Sequence, residues 1–373
     1  MEWIIGDLSR SRSERVGESR RLSRRSFWIL SLILSIVFFL CFVQACEKKP
    51  GKKLPSFEEI TPKDGLSSEM VYAIAARGGE VWFGTYGGGA NLYDLAKKTW
   101  KAYTTKGEPP EQVDDGDSVK WKNILSYNHV SVILPDRDCI WFGTYFYGFG
   151  GGGISYYDSQ KNPPWKSFNT NGGRAKKVVS MALDGESLWV GSEKGLNLFD
   201  KRTEAWKEFY STEDGLSGNF VNTILVQPDF LWIGTNGGIS RLQKDRKAWK
   251  TYSEKEGLTE VEVKSLVEAG PRILAGGIGG TLFEYDPTSD SWKKIESADP
   301  LKNGGIHSIT VTNEKALICR DNGVSIYHFL SGRWESLTTS EGLLSNTVFC
   351  AAVDKDSIWF GTDKGVSRLL LTQ

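Results

Sequence analysis

Residues able to do chemistry are scarce in this chain. Three histidines serve 373 residues, which leaves little for metal or acid–base sites built on imidazole. His129 and His307 fall in the second and sixth copies of a repeated unit, so they could face one channel, but those copies are not neighbours. Ordinary rim histidines are the better reading than a two-histidine site. No Gly-x-Ser-x-Gly, zinc-type His-Glu pair or phosphate loop occurs. The run Gly150–Gly153 joins two strands and opens no helix that could hold an anion. Asp114, Asp115 and Asp117 make an acidic turn without the alternating spacing of a calcium loop. No catalytic residue, metal or cofactor is therefore assigned.

What remains is suited to binding. Trp121 lies in one long connection, and Tyr145, Phe146, Tyr147 and Phe149 lie among glycines in another. Aromatic faces among glycines suit stacking on sugar rings or anchoring a protein partner. Tyr86, Asn128 and His129 would add contacts at the same rim. The alternative is that the two connections only pack on each other and lid the channel.

The elements that must position these residues repeat. VWFGTYGGG, IWFGTYFYG, LWVGSEKGL, LWIGTNGGI, ILAGGIGGT, ALICRDNGV and IWFGTDKGV are copies of one segment, with markers Trp82, Trp141, Trp189, Trp232, Leu274, Leu317 and Trp359. The markers are 59, 48, 43, 42, 43 and 42 residues apart. Each copy holds four short strands, a to d. Strand b is nearly continuously apolar, as expected when neighbouring sheets cover both faces. Strand d opens on Trp100, Trp165, Trp206, Trp249, Trp292 or Trp334, and its apolar residues then step by three, which a bulge on an outer strand would produce. Acid–Gly pairs such as Asp64-Gly65 and Glu256-Gly257 precede strand a and suit tight turns.

A 42-residue period with four strands and a Trp at fixed phase predicts a propeller blade. The fold expected is all-β, a seven-bladed β-propeller of four-stranded antiparallel blades over residues 54–373. The seventh copy ends after strand c. Phe57 lies 14 residues before Val71, as Trp249 lies 14 before Val263, so the N-terminal strand should complete blade 7 and leave no open edge. Both insertions belong to blade 2: Trp100 to Val130 spans 30 residues against 14 from Trp249 to Val263, and Trp141 to Asp158 spans 17 against 11 from Trp189 to Asp200. Antiparallel order puts d–a and b–c connections on one face, so the candidate site should centre there.

Residues 1–26 carry seven arginines, then Phe27–Val43 run 17 residues without charge. This pattern is a secretory signal. Val43-Gln44-Ala45-Cys46 resembles the bacterial lipobox, which implies cleavage before Cys46, lipid on Cys46 and a membrane anchor; Gln44 departs from the small residue usual there. Residues 1–45 then form the signal peptide and 46–53 a linker. An uncleaved inner-membrane anchor is the alternative. Ser23-Arg24-Arg25-Ser26-Phe27 also resembles a twin-arginine signal, and Val16 is an alternative start. Glu47 follows Cys46 where Asp would resemble an inner-membrane retention signal, so the periplasmic side of the outer membrane is favoured. Removing residues 1–45 leaves 39 basic against 42 acidic groups, a balance unsuited to nucleic acid. Cys139, Cys319 and Cys350 are expected on inner strands of blades 2, 6 and 7 as buried thiols, with a disulfide between blades 6 and 7 as the alternative.

The block from Phe57 to Leu370, with TPKDGL, STEDGL and TSEGL before strand a and WFGT or WIGT in strand b, resembles the two-component regulator propeller repeat. The resemblance implies an exported sensor propeller, non-enzymatic, recognising glycan fragments or another polar ligand and acting through a partner. This sequence shows no later membrane span, Ig-like module or kinase of the kind that family carries. A scaffold that docks an envelope protein is the alternative. A lyase reading, from seven-bladed propellers that cleave cyclic peptide antibiotics with paired His and Glu around a metal, suffers from the low histidine count.

Overall fold

The computed structural model describes residues 56–105, 125–145, 152–168, 170–295 and 298–371. The leader with Cys46, the acidic turn at 114–117, and Trp121, Phe146, Tyr147 and Phe149 lie outside the described residues.

The described residues form seven four-stranded antiparallel sheets. Their inner strands start at Val71, Val130, Val178, Val221, Val263, Ile306 and Val348. Each inner strand contacts the next, and that of blade 7 contacts that of blade 1, so the ring is closed. In blade 7 the outer strand is Phe57–Ile60, with Phe57 opposite Leu369 and Ile60 opposite Val366. The two ends of the described chain thus share one sheet.

The core is divided among the gaps between blades, each holding one apolar cluster. Successive strand residues point to opposite faces, so the marker and its successor serve different gaps. Trp82 packs towards blade 2 with Phe142 and Trp165, whereas Phe83 packs towards blade 7 with Trp359. Four marker tryptophans also bury their N–H productively. Trp141, Trp189, Trp232 and Trp359 donate from Nε1 to Asp136, Asp184, Gln227 and Asp354, each five residues earlier. Trp82 has Arg77 at that position and its buried Nε1 has no acceptor.

The step of three in strand d has a different cause from the expected bulge. The pairing of strands c and d is regular in blades 1 and 4 and shifts only in blade 3, between Leu198 and Phe199. An odd step places two residues on opposite faces of a strand. Trp249 accordingly packs in the gap to blade 3 and Tyr252 in the gap to blade 5. Trp100 and Tyr103, Trp165 and Phe168, Trp292 and Ile295, Trp334 and Leu337, and Phe57 and Ile60 divide in the same way. One outer strand closes the outer ends of two gaps.

The acid–Gly pairs work as expected and also cap. Asp64, Asp214, Glu256 and Glu341 accept from the backbone N–H three residues earlier, at 2.8–2.9 Å. The following glycine takes positive φ, +126° at Gly65 and +86° at Gly257, a region other residues rarely adopt. The cysteines lie on the inner strands of the expected blades, Cys350 on strand a and Cys139 and Cys319 on strand b, but only one is fully buried. Cys319 is fully buried, Cys139 and Cys350 are partly exposed, and all three are free thiols. Burial pushes the Cys319 thiol up to about 12, which keeps it protonated and inert.

Candidate functional site

The end of strand b is tied to the start of strand a in successive blades by one backbone hydrogen bond. It runs from Tyr86 N to Met70 O, Tyr145 N to His129 O, Glu193 N to Lys177 O, Asn236 N to Phe220 O and Ile278 N to Glu262 O. These ties place the b–c and d–a connections on one face and hold the residues beside them at the channel mouth.

Aromatic rings form a continuous arc on one side of that mouth. Ring centroids run from His307 to Phe349 at 5.4 Å, Phe349 to Tyr72 at 4.5 Å, Tyr72 to His129 at 5.2 Å and His129 to Tyr145 at 5.3 Å. Tyr86 branches from the arc, 4.6 Å from His129 and 44% exposed. The arc crosses blades 6, 7, 1 and 2. His129 and His307, in blades that do not adjoin, are thus joined through Phe349 and Tyr72.

Charged groups at the mouth come in pairs. Lys177 lies 2.6 Å from Glu193 and over the Tyr145 ring, extending the arc to blade 3. Lys264 lies 2.5 Å from Glu262, donates to Asn222 and stands over Phe220. His307 Nε2 is 2.6 Å from Asp321. Lys177 and Lys264 each have a carboxylate beside them, so these pairs present donors and acceptors without net charge. Burial lowers His129 to about 4, so its imidazole is neutral near neutral pH.

Among the expected site residues, Tyr86, His129 and Tyr145 come together. Asn128 has another role: its Oδ1 accepts from Thr105 N at 2.6 Å and its carbonyl accepts from Gly89 N at 2.8 Å, which ties blade 1 to blade 2. Tyr72, Phe349 and Lys177 were not singled out from the sequence. Their signal is positional, since each lies next to the first valine of strand a in its copy. Among the described residues no group of three His, Cys, Asp or Glu could hold a metal ion.

Solved structures share this architecture. The extracellular domain of the hybrid two component system BT4673 from B. thetaiotaomicron superposes with a TM-score of 0.66 at 20% identity, over 86% of this chain and 40% of that one. The corresponding domain of BT3049 from the same organism gives 0.68 at 20% identity, over 84% and 42%. This chain therefore spans about two fifths of those domains. Virginiamycin B lyase from Staphylococcus aureus gives 0.63 at 12% identity, over 85% and 99%. The shared feature is the fold. No family model and no curated protein sequence matches the chain. Among the described residues no helix is long and apolar enough to cross a membrane.

Proposed function

We propose that this chain is a non-enzymatic ligand-binding propeller of the sensor type, exported and anchored through lipid on Cys46, whose mouth takes a polar ligand with flat apolar faces such as a glycan fragment. The observation that carries the reading is the arc from His307 through Phe349, Tyr72 and His129 to Tyr145. Sugar rings offer C–H faces to aromatic rings and hydroxyls to paired charges, and the mouth supplies both. The extracellular domains of B. thetaiotaomicron hybrid two component systems that share the fold support the same class.

Ser56 accepts from Leu370 N, next to the turn where Asp356 accepts from Leu371 N. The first described residues thus lie on the face of the a–b turns, opposite the mouth. Signalling would be left to a partner.

A lyase reading meets a poorer site. His129 sits among aromatic rings and His307 is beside Asp321 in a blade that does not adjoin. A second reading, docking of an envelope protein, is favoured by Val261 and Ile278, 68% and 60% exposed beside the mouth on blade 5. The test is a glycan array probed with the wild type and with Tyr86→Ala/Tyr145→Ala. Binding lost in the folded variant supports the ligand reading. Equal binding by both proteins, or none by either, overturns it.

A further inference from the structure

At the end of strand b, five blades carry a hydroxyl that closes the b–c turn. Thr85, Thr144, Ser192, Thr235 and Thr362 donate to the carbonyls of Gly89, Gly153, Gly195, Gly238 and Gly365 at 2.9–3.2 Å. In blade 6 the position is Arg320, and only 1% of it is exposed. Its Nε donates to Ser325 Oγ at 2.8 Å, its Nη1 to the carbonyls of Gly280 at 2.9 Å and Gly304 at 2.7 Å, and its Nη2 to Asp299 Oδ2 at 2.8 Å. These bonds occupy four of the five guanidinium hydrogens. Asp299 balances the Arg320 charge, and Ser325 in turn donates to Asp299 Oδ1.

A threonine would do the closing work without burying an ion pair, whose desolvation can exceed its attraction. The arginine also lines a cavity of about 260 Å³ between blades 5 and 6, at the rim of the face that carries the mouth. Lys294 and Lys302 line the same cavity, and among the described residues no carboxylate does. Glu260 is close by but is bound to Gly279 N and Thr281 N. The remaining wall is mixed, with Trp334, Leu282 and Ile295 beside Thr281, Asn303 and two glycines. A bare inorganic ion would leave most of this space to water, since a water's share of liquid volume is about 30 Å³.

We propose that this cavity binds a small organic acid. Its carboxylate would sit between the Lys294 and Lys302 ammonium groups and meet the remaining Nη2 hydrogen of Arg320. Its body would lie against Trp334. The site stands apart from the mouth and does not depend on the reading of the aromatic arc.

The experiment is calorimetric titration of the full chain with glucuronate and with glucose, which differ in that one carries a carboxylate where the other has a hydroxymethyl. Glucuronate should bind at least about tenfold more tightly than glucose. Lys294→Ala/Lys302→Ala should weaken glucuronate by at least about tenfold and leave the melting temperature within a degree or so, because both lysines are exposed. Glucuronate and glucose behaving alike, or the double variant binding glucuronate as the wild type does, overturns the proposal.

Discussion

The Tyr72 ring stacks on Phe349 at 4.5 Å and 26°, across the seam where the last blade meets the first. The two residues are far apart in sequence and touch only because the ring closes. An aromatic pair of this geometry contributes about 0.5–1.5 kcal/mol beyond the area it buries. A double-mutant cycle on Tyr72→Ala and Phe349→Ala, read by urea unfolding, should return a coupling of that size. A coupling of zero would show that the seam is open in solution.

The outer strand of blade 7 should be required for stability. Phe57 and Ile60 fill two different gaps, and Arg368 reaches Glu58 at 3.0 Å. Phe57→Ala should cost about 2 kcal/mol, below the range for a fully buried phenylalanine because the ring is partly exposed. Removing 56–60 should cost more, since it also bares the edge of Val366–Leu370. Thermal unfolding unchanged by either alteration would place the strand elsewhere.

His129 should make the fold sensitive to mild acid. Its folded pKa of about 4 lies below the ordinary 6.5 because burial disfavours the imidazolium. The unfolded chain therefore binds a proton that the folded one refuses as pH falls below 6.5. The contribution is complete above 6.5 and is lost progressively down to about 4. His129→Phe, which keeps a ring against Tyr72, should remove on the order of 1–2 kcal/mol of the stability difference between about pH 7 and pH 5. Parallel pH profiles for the two proteins would contradict this.

Asp290 gathers four donors at the turn between strands c and d of blade 5. Lys250 Nζ approaches at 2.6 Å, Tyr252 Oη at 2.7 Å, Tyr285 Oη at 2.5 Å and Arg241 Nη1 at 3.1 Å. Burial alone would raise its pKa, but the hydrogen bonds from Lys250, Tyr285 and Tyr252 and the charge of Arg241 hold it well below the usual carboxylate range. Its contribution is present above about pH 4 and fades as pH falls towards the depressed value. The side chain is 38% exposed, so screening keeps the effect of Asp290→Asn to about 1 kcal/mol at neutral pH. Acid titration followed by tryptophan fluorescence should show a smaller loss for the variant below about pH 4 than for the wild type.

Trp82 offers a gain of stability. Its buried Nε1–H lacks the acceptor that Gln227 gives Trp232 at 2.8 Å, because the matching residue is Arg77. Arg77→Gln would supply an amide oxygen, while its NH₂ could keep a bond to the Cys139 carbonyl that Arg77 now makes at 2.9 Å. A rise of about 0.5–1 kcal/mol is expected, seen as a higher melting temperature. A fall would mean that the arginine bond is worth more than the missing indole bond.

The sequence alone determined the blade count, the strands within each blade and the completion of blade 7 by Phe57–Ile60. These follow from local period, from tryptophans at fixed phase and from the 14-residue interval shared by Phe57–Val71 and Trp249–Val263. Even the step of three in strand d is visible in the sequence, though its reason is not. Trp249 and Tyr252 fill different gaps, which becomes visible only when both neighbouring sheets are present. The mouth was legible where a residue adjoins an unusual connection, as with Tyr86, His129 and Tyr145. It was illegible at Tyr72, Phe349 and Lys177, whose contacts depend on the curvature of the closed ring. Arg320 showed as a lapse in the Gly-Thr motif, but its pairing with Asp299 and the cavity beside it arise from the packing of blade 5 on blade 6. Repeat periodicity encodes what each blade does alike. Contacts between blades at the mouth and rim depend on how far each sheet twists and where its turns meet, and only the assembled ring decides that.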